Sequence, residues 1–195
     1  MRQKARLCLP LSILLLFVNT TVVGQGNRPD TTIGCGAVVE GIALCLSPSA
    51  LGSVTLELRN TGPKDAVLNL GAMLANGARQ YPSAISLTLT DASGKVHQGV
   101  LAEPVIVAGR LDPFIVPLPH GASLILPLDL TKYVLYTSGQ IEELRPDPTK
   151  PYMVRAQFTG KGVSQAEANL DVKGLALMPY WTGIALSNTV ATTKK

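Results

Sequence analysis

Acid–base chemistry near neutral pH would have to come from two histidines, His97 and His120. His120 lies near the end of the stretch "GRLDPFIVPLPHG" (109–121), which also holds Asp112 and the prolines 113, 117 and 119. A carboxylate that orients an imidazole is the working half of a Ser–His–Asp site. A hydrolase using Asp112 and His120 is therefore one reading of this stretch. The nucleophile is harder to find, because no Gly-x-Ser-x-Gly elbow appears in the chain. His97 sits in "GKVHQG" beside an expected hairpin, where an exposed polar residue is the expectation. Glu142 and Glu143 are adjacent carboxylates, and neighbours in sequence are badly placed to flank a glycosidic bond from opposite sides. The sequence contains no EF-hand loop, no His-Glu-x-x-His and no phosphate-cradling glycine loop with Lys and Ser/Thr. The expectation is a protein that is not an enzyme, with no cofactor and no metal.

Cys35 and Cys45 are the next candidates. On one continuous strand their Cα atoms would lie roughly 33 Å apart, whereas a disulfide needs about 4.4–6.8 Å. A bridge therefore requires a chain reversal between them, for which Glu40-Gly41 is the available site. Two lone cysteines with no nearby histidine make a poor zinc site.

The compartment bears on that bridge. Arg2, Lys4 and Arg6 precede the apolar run "LCLPLSILLLFV", and Val22 and Gly24 occupy the −3 and −1 positions of a cleavage site after Gly24. This is the layout of a secretory signal peptide over 1–24, with an uncleaved N-terminal anchor as the alternative. The run is shorter than the ~20 residues that span a bilayer, and charges, Pro and Gly interrupt every later apolar stretch, so no membrane span is expected after cleavage. Cys8 precedes the apolar region instead of following it, which excludes a lipoprotein cysteine. Export to a periplasm or beyond would allow Cys35 and Cys45 to oxidise. Removing 1–24 from the 195 residues takes away three cations and lowers the net charge from +4 to about +1. No face of clustered Lys/Arg with interleaved aromatics remains, which argues against nucleic acid, and Lys194 and Lys195 read as a solvated tail.

These residues must be positioned by strands. After a polar, glycine-rich lead-in (25–36), the dominant period is two, as in "VTLELRN", "ISLTLTD", "LILPLDL" and "YMVRAQF", with shorter examples in "AVLNL" and "LDVKGL". "NTGPKD", "DASGK", "RPDPTKP" and "TGKG" supply turn chemistry between them. "DLTKYVLYTSG" could form one helical or 3₁₀ turn, and no window carries a capped 3.6-residue stripe. The expectation is an all-β chain: one immunoglobulin-like antiparallel β-sandwich over 37–191, of seven to nine strands, with a tail at 192–195. Proline inside apolar segments favours a sandwich with edge strands. Tyr152 follows a proline-rich turn at the start of a strand, the place of a tyrosine corner, although an ordinary strand tyrosine is the alternative. The antibody-type Cys…Trp…Cys spacing is absent.

The stretch "VTLELRNTGPKDAVLNLG" (54–71) resembles bacterial immunoglobulin-like accessory domains, and with "DASGKVH" (91–97) it is similar in outline to the bacterial intracellular proteinase-inhibitor family. The stretch 99–130 resembles the non-catalytic sandwich domain that precedes some secreted zinc metallopeptidases. These resemblances imply the fold more than the function. The inhibitor family's tryptophan-rich stretch is missing, since "QGVLAEP" has no aromatic, and so is the metallopeptidase zinc motif.

The functional expectation is an exported binding module with a protein or carbohydrate partner and no nucleic acid. Its candidate contact surface is Arg110, Leu111, Asp112 and Phe114 in the 109–119 loop, with Tyr180 and Trp181 in "MPYWTGIALSN" as a second. The bland alternative for Trp181 is a core position beneath the last strand. A protease inhibitor presenting 109–119 as a proline-stiffened loop is the rival within the binding class.

Overall fold

Alternating hydrophobicity becomes strand after strand in the computed structural model. It describes residues 34–49, 52–74, 77, 79–102, 111–137, 140–163 and 178–192, excluding the side chains of 140–143. The leader 1–24, "LDVKGL", Arg110, the last three residues and the Glu142 and Glu143 side chains lie outside the described residues.

The strands are β1 (Ile42–Pro48), β2 (Ser53–Asn60), β3 (Ala66–Leu74), β4 (Gln80–Tyr81), β5 (Ile85–Thr90) and β6 (Val96–Leu101). Then follow β7 (Leu111–Leu118), β8 (Ser123–Asp129), β9 (Tyr133–Thr137), β10 (Gln140–Leu144), β11 (Met153–Thr159) and β12 (Ile184–Ala191). A 3₁₀ turn, Leu130–Lys132, is capped by Asp129, whose side chain accepts the Thr131 N–H. The sheets are β1-β2-β8, β4-β3-β7 and β10-β9-β6-β5-β11-β12, and every strand pairing within them is antiparallel.

Twelve strands among the described residues exceed the expected seven to nine. Part of the excess comes from one bent ribbon. β2 runs into β3 through 61–65, and β7 runs into β8 through 119–122, so β2–β8 and β3–β7 are two arms of one ladder. Asn60 holds the corner. Its Nδ2 donates to the Lys64 and Leu118 carbonyls (2.8 and 2.9 Å), and its Oδ1 accepts the Gly62 N–H. Inner faces of all three sheets share one core, with Leu44, Leu56, Leu68, Leu87, Val154 and Phe158 fully or almost fully buried. The fold is thus sandwich-like and nearly all β.

The prolines obey the ladder. Leu130 N–H donates to the Gly52 carbonyl and Asn60 N–H to the Ala122 carbonyl. Even-numbered residues of β8 therefore turn their backbone groups toward β2, and odd-numbered ones turn away. On the far side of β3, Val67 accepts the Trp181 N–H and Leu74 donates to the Arg79 carbonyl. Val67 and Ala72 thus face away from β7, and so do their cross-strand partners Pro117 and Pro113. Pro113, Pro117 and Pro127 all stand where the missing N–H would have pointed off the outer edge of the ribbon, so none costs a ladder bond.

At the N-terminus the chain reverses at Glu40-Gly41, both with positive φ (46° and 84°), the conformation of a primed two-residue hairpin turn. Val39 and Ile42 exchange both backbone bonds at 2.9 Å. Cys35 and Cys45 are joined by a disulfide, with Cα atoms 4.2 Å apart. Residues 34–36, assigned from sequence to the flexible lead-in, are therefore part of the fold. Across the gap to β12, Asn188 Nδ2 donates to the Leu46 carbonyl (2.8 Å) and its Oδ1 accepts the Leu46 N–H (2.7 Å). One amide side chain thus replaces a strand partner between two sheets.

Candidate functional site

Asp112 and His120 are not brought together. Asp112 lies near the start of β7, which runs extended to Leu118 and so spans roughly 20 Å between those two positions, and His120 follows in the turn beyond its far end. His120 belongs to the ribbon corner instead. Its N–H donates to Asp65 Oδ1 (2.9 Å), and its Nδ1–H donates to the Gly62 carbonyl. This geometry removes the observation that suggested a hydrolase at those two residues.

His97 corrects another expectation. It is buried, 6% exposed, instead of standing on the surface. Its ring bonds Thr137 Oγ1 through Nδ1 (3.0 Å) and Asp91 Oδ2 through Nε2 (3.3 Å). The carboxylate can only accept, so Nε2 donates to it, while the Thr137 hydroxyl at Nδ1 can donate or accept. Asp91 also anchors the β5–β6 turn, accepting the Ser93 hydroxyl (2.6 Å) and the Ser93 and Lys95 N–H groups. The Ser93 hydroxyl bond, with help from Lys95 and His97, holds the Asp91 carboxyl well below the usual carboxylate range. Both ring nitrogens are committed within the fold, so this Asp–His–Thr cluster ties β6, β9 and a turn together and leaves no free base. The inversion has a cause in register: Leu87 pairs with Gly99 and Leu89 with His97, which turns His97 and Gly99 inward and Val96 and Val100 out.

The 109–119 stretch is not a loop where it is described. Residues 111–118 are strand β7, paired along its length with β3, and Phe114 and Leu118 are buried. Phe114 is thus a core residue and no contact residue. Leu111 is 41% exposed and, with Asp112 and Pro113, borders a cleft of about 230 Å³. Asn69, Ser83, Lys161 and Val163 line the same cleft. It forms at a bulge, where the β3–β7 register shifts between Asn69 and Ala72, and bulges re-aim side chains beside functional sites. Gly71 sits in the bulge with φ 132°, and a Cβ there would fall 2.4 Å from the Tyr81 carbonyl oxygen. Asn69, 3% exposed, fixes the wall by accepting the Gly71 N–H and donating to the Gly162 carbonyl, both at 3.1 Å.

Trp181 takes the bland reading. It is 7% exposed and stacks on Phe158, with centroids 5.2 Å apart and planes 13° from parallel. Gly160 and Gly183 press on its ring, and a Cβ on either would come within 2.5 Å of ring carbons. It is no exposed platform. Tyr180 is half-buried, and desolvation raises its phenol above the ordinary value. With Glu40, Pro63, Lys64 and Asp65 it borders a second hollow of about 280 Å³, of which Trp181 forms one wall.

Sequence reasoning missed Asn69, Ser83, Lys161 and Val163, which come from separate segments with no shared linear pattern. The local signal was Gly71 inside an otherwise apolar strand, which marks a bulge or a close backbone approach. Among the described residues, no three His, Cys, Asp or Glu side chains gather to hold a metal, and no helix is long and apolar enough to cross a membrane. Comparison with protein-family models, with curated proteins and with solved structures finds no match, so the reading of this site rests on its own residues.

Proposed function

We propose that the protein is an exported, non-enzymatic binding module of immunoglobulin-like type that meets its partner at the Leu111–Pro113 cleft. The observation that carries the reading is the cleft itself. An exposed Leu111, the Asp112 and Lys161 side chains and the polar Asn69 and Ser83 converge at a bulge held by buried bonds. A mixed apolar and polar concavity on a rigid wall suits a protein side chain or a sugar ring. Two features support the wider frame. The Cys35–Cys45 disulfide fits an oxidising compartment beyond the leader. The Asp147 N–H donates to the Tyr152 hydroxyl (3.1 Å), five residues back, as a tyrosine corner does.

The test is capture of envelope proteins and binding to a glycan panel, with the exported protein and the variants Leu111→Ala and Ser83→Trp as bait. Loss of the same partner from both variants, with unchanged thermal unfolding, supports the cleft. A partner retained by both refutes it.

A further inference from the structure

Over β5, β6, β9, β11 and β12, the outer face of the six-stranded sheet is poor in charge. Among its described outward positions on β5, β6, β9, β11 and β12, Arg155 is the one ionic side chain, and its Nε is tied to the Ser187 carbonyl (3.1 Å). Of the large apolar side chains that stand exposed in the molecule, Val96, Val100, Tyr136, Met153 and Ile184 share this face at 39–56% exposure. Thr, Ser and Gln fill most of what lies between them. The outer face of the β1-β2-β8 sheet is different, with Glu57, Arg59 and Asp129 along it. A solvated antiparallel sheet face is ordinarily polar, and a broad apolar patch marks an interaction site.

We infer that this face pairs with the same face of a second copy, as a two-fold, sheet-on-sheet dimer. The argument is self-complementarity read from the register. β5 lies between β6 and β11, with Thr90 aligned to Val96 and Met153, and Thr88 to Gln98 and Arg155. A two-fold axis running along β5 keeps each row and exchanges the strands on either side. Val96 of one copy then meets Met153 of the other, Arg155 meets Gln98, and Thr88 faces its own copy on the axis. Tyr136, aligned with Gln98, meets Thr189, aligned with Arg155. Apolar meets apolar in the first row, the cation meets an amide, and no two like charges meet. Such a contact belongs to the aligned class of sheet packing. Roughly fifteen outward positions at about 4.8 by 6.7 Å each cover on the order of 500 Å² in projection. The accessible surface of a corrugated face exceeds its projection, which brings it toward the ~800 Å² per partner of a standard interface.

Sedimentation equilibrium of the protein purified after export tests this between about 1 and 200 μM, the range of a modest interface. The expected result is a mass that doubles with concentration. Thr88→Arg sets two cations together on the axis and should weaken association at least tenfold. Gln98→Glu sets a carboxylate against the other copy's Arg155 and should tighten it severalfold, with the gain lost in high salt. Ile125→Arg, on the opposite sheet, should change nothing. Circular dichroism confirms that each variant is folded. A protein that is monomeric throughout the range, a dimer that Thr88→Arg leaves intact, or a dimer that Gln98→Glu weakens overturns the inference.

Discussion

Two tyrosines should respond with opposite sign to the loss of one oxygen. Tyr133 on β9 is 1% exposed, and among the described residues its hydroxyl has no hydrogen-bond partner. A buried, unsatisfied hydroxyl costs about 1–3 kcal/mol. Tyr133→Phe removes that cost, keeps the ring in the core and opens less than a methyl-sized void. We expect a gain of about 1–2 kcal/mol, and about 2–4 °C in Tm for each kcal/mol in a domain of this size. Tyr152 is nearly as buried at 8% exposure, but its hydroxyl accepts the Asp147 N–H. Tyr152→Phe should therefore lose about 0.5–1.5 kcal/mol. The single tryptophan, Trp181, packed on Phe158, provides a fluorescence signal for urea unfolding of both variants. A second readout is alkaline. Burial pushes the Tyr133 phenol well above its ordinary 10.0. The unfolded chain then loses that proton first, so stability falls as pH rises above about 10, and Tyr133→Phe should flatten the fall. A Tyr133→Phe variant less stable than the parent by more than about 0.5 kcal/mol would mean that the hydroxyl makes a bond, and would refute the reasoning.

Reducing the Cys35–Cys45 bridge, which spans ten residues of sequence, should cost about 2–3 kcal/mol on the loop-entropy model; calorimetry with and without reductant measures it. Asn188→Ala strands both backbone groups of Leu46 and should cost about 2–4 kcal/mol in urea unfolding. Glu40→Asn makes an Asn-Gly turn at a position whose φ is 46° and should raise stability by about 0.5–1 kcal/mol in the same assay. Asp91 and Asp147 are both held below the usual carboxylate range, each first by a hydroxyl, of Ser93 and of Thr149. Their contribution is complete above the unfolded carboxylate pKa of about 3.9 and is lost as pH falls through and below it. An acid titration followed by circular dichroism should show Asp91→Asn flattening that loss.

Legibility followed alternation. β2, β5, β8 and β11 each bury one face and leave the other wet, and their sequences say so. β1 was illegible because both faces are covered. Its first five residues are all buried, Ala43 and Cys45 included, which erases the period of two. β6 misled because its register is set by Leu87 and Leu89 on the neighbouring strand, so "VHQGVL" presents its valines to solvent. The Asp112–His120 proximity dissolved because a strand separates what a loop would have gathered. Trp181 stood in the sequence as either a contact residue or core, because the two glycines that admit its ring lie at 160 and 183, and only the folded chain shows that they converge.

Edges and faces of this molecule divide the possibilities for contact. The outer edge of the bent ribbon carries Pro113, Pro117 and Pro127 at positions whose N–H would have pointed outward, which removes donors that an added strand would need. The β12 edge is approached by Gly36, whose added Cβ would strike the Leu186 carbonyl oxygen at 1.6 Å, and Asn188 ties β12 to β1. Strand addition at these two edges is therefore disfavoured. Two side-chain surfaces stand apart from these edges: the cleft at the β3 bulge and the charge-poor outer face of the six-stranded sheet. Leu111→Ala should weaken a partner held in the cleft and leave self-association unchanged, while Thr88→Arg should do the reverse. Coupling of the two phenotypes would mean that one surface serves both contacts.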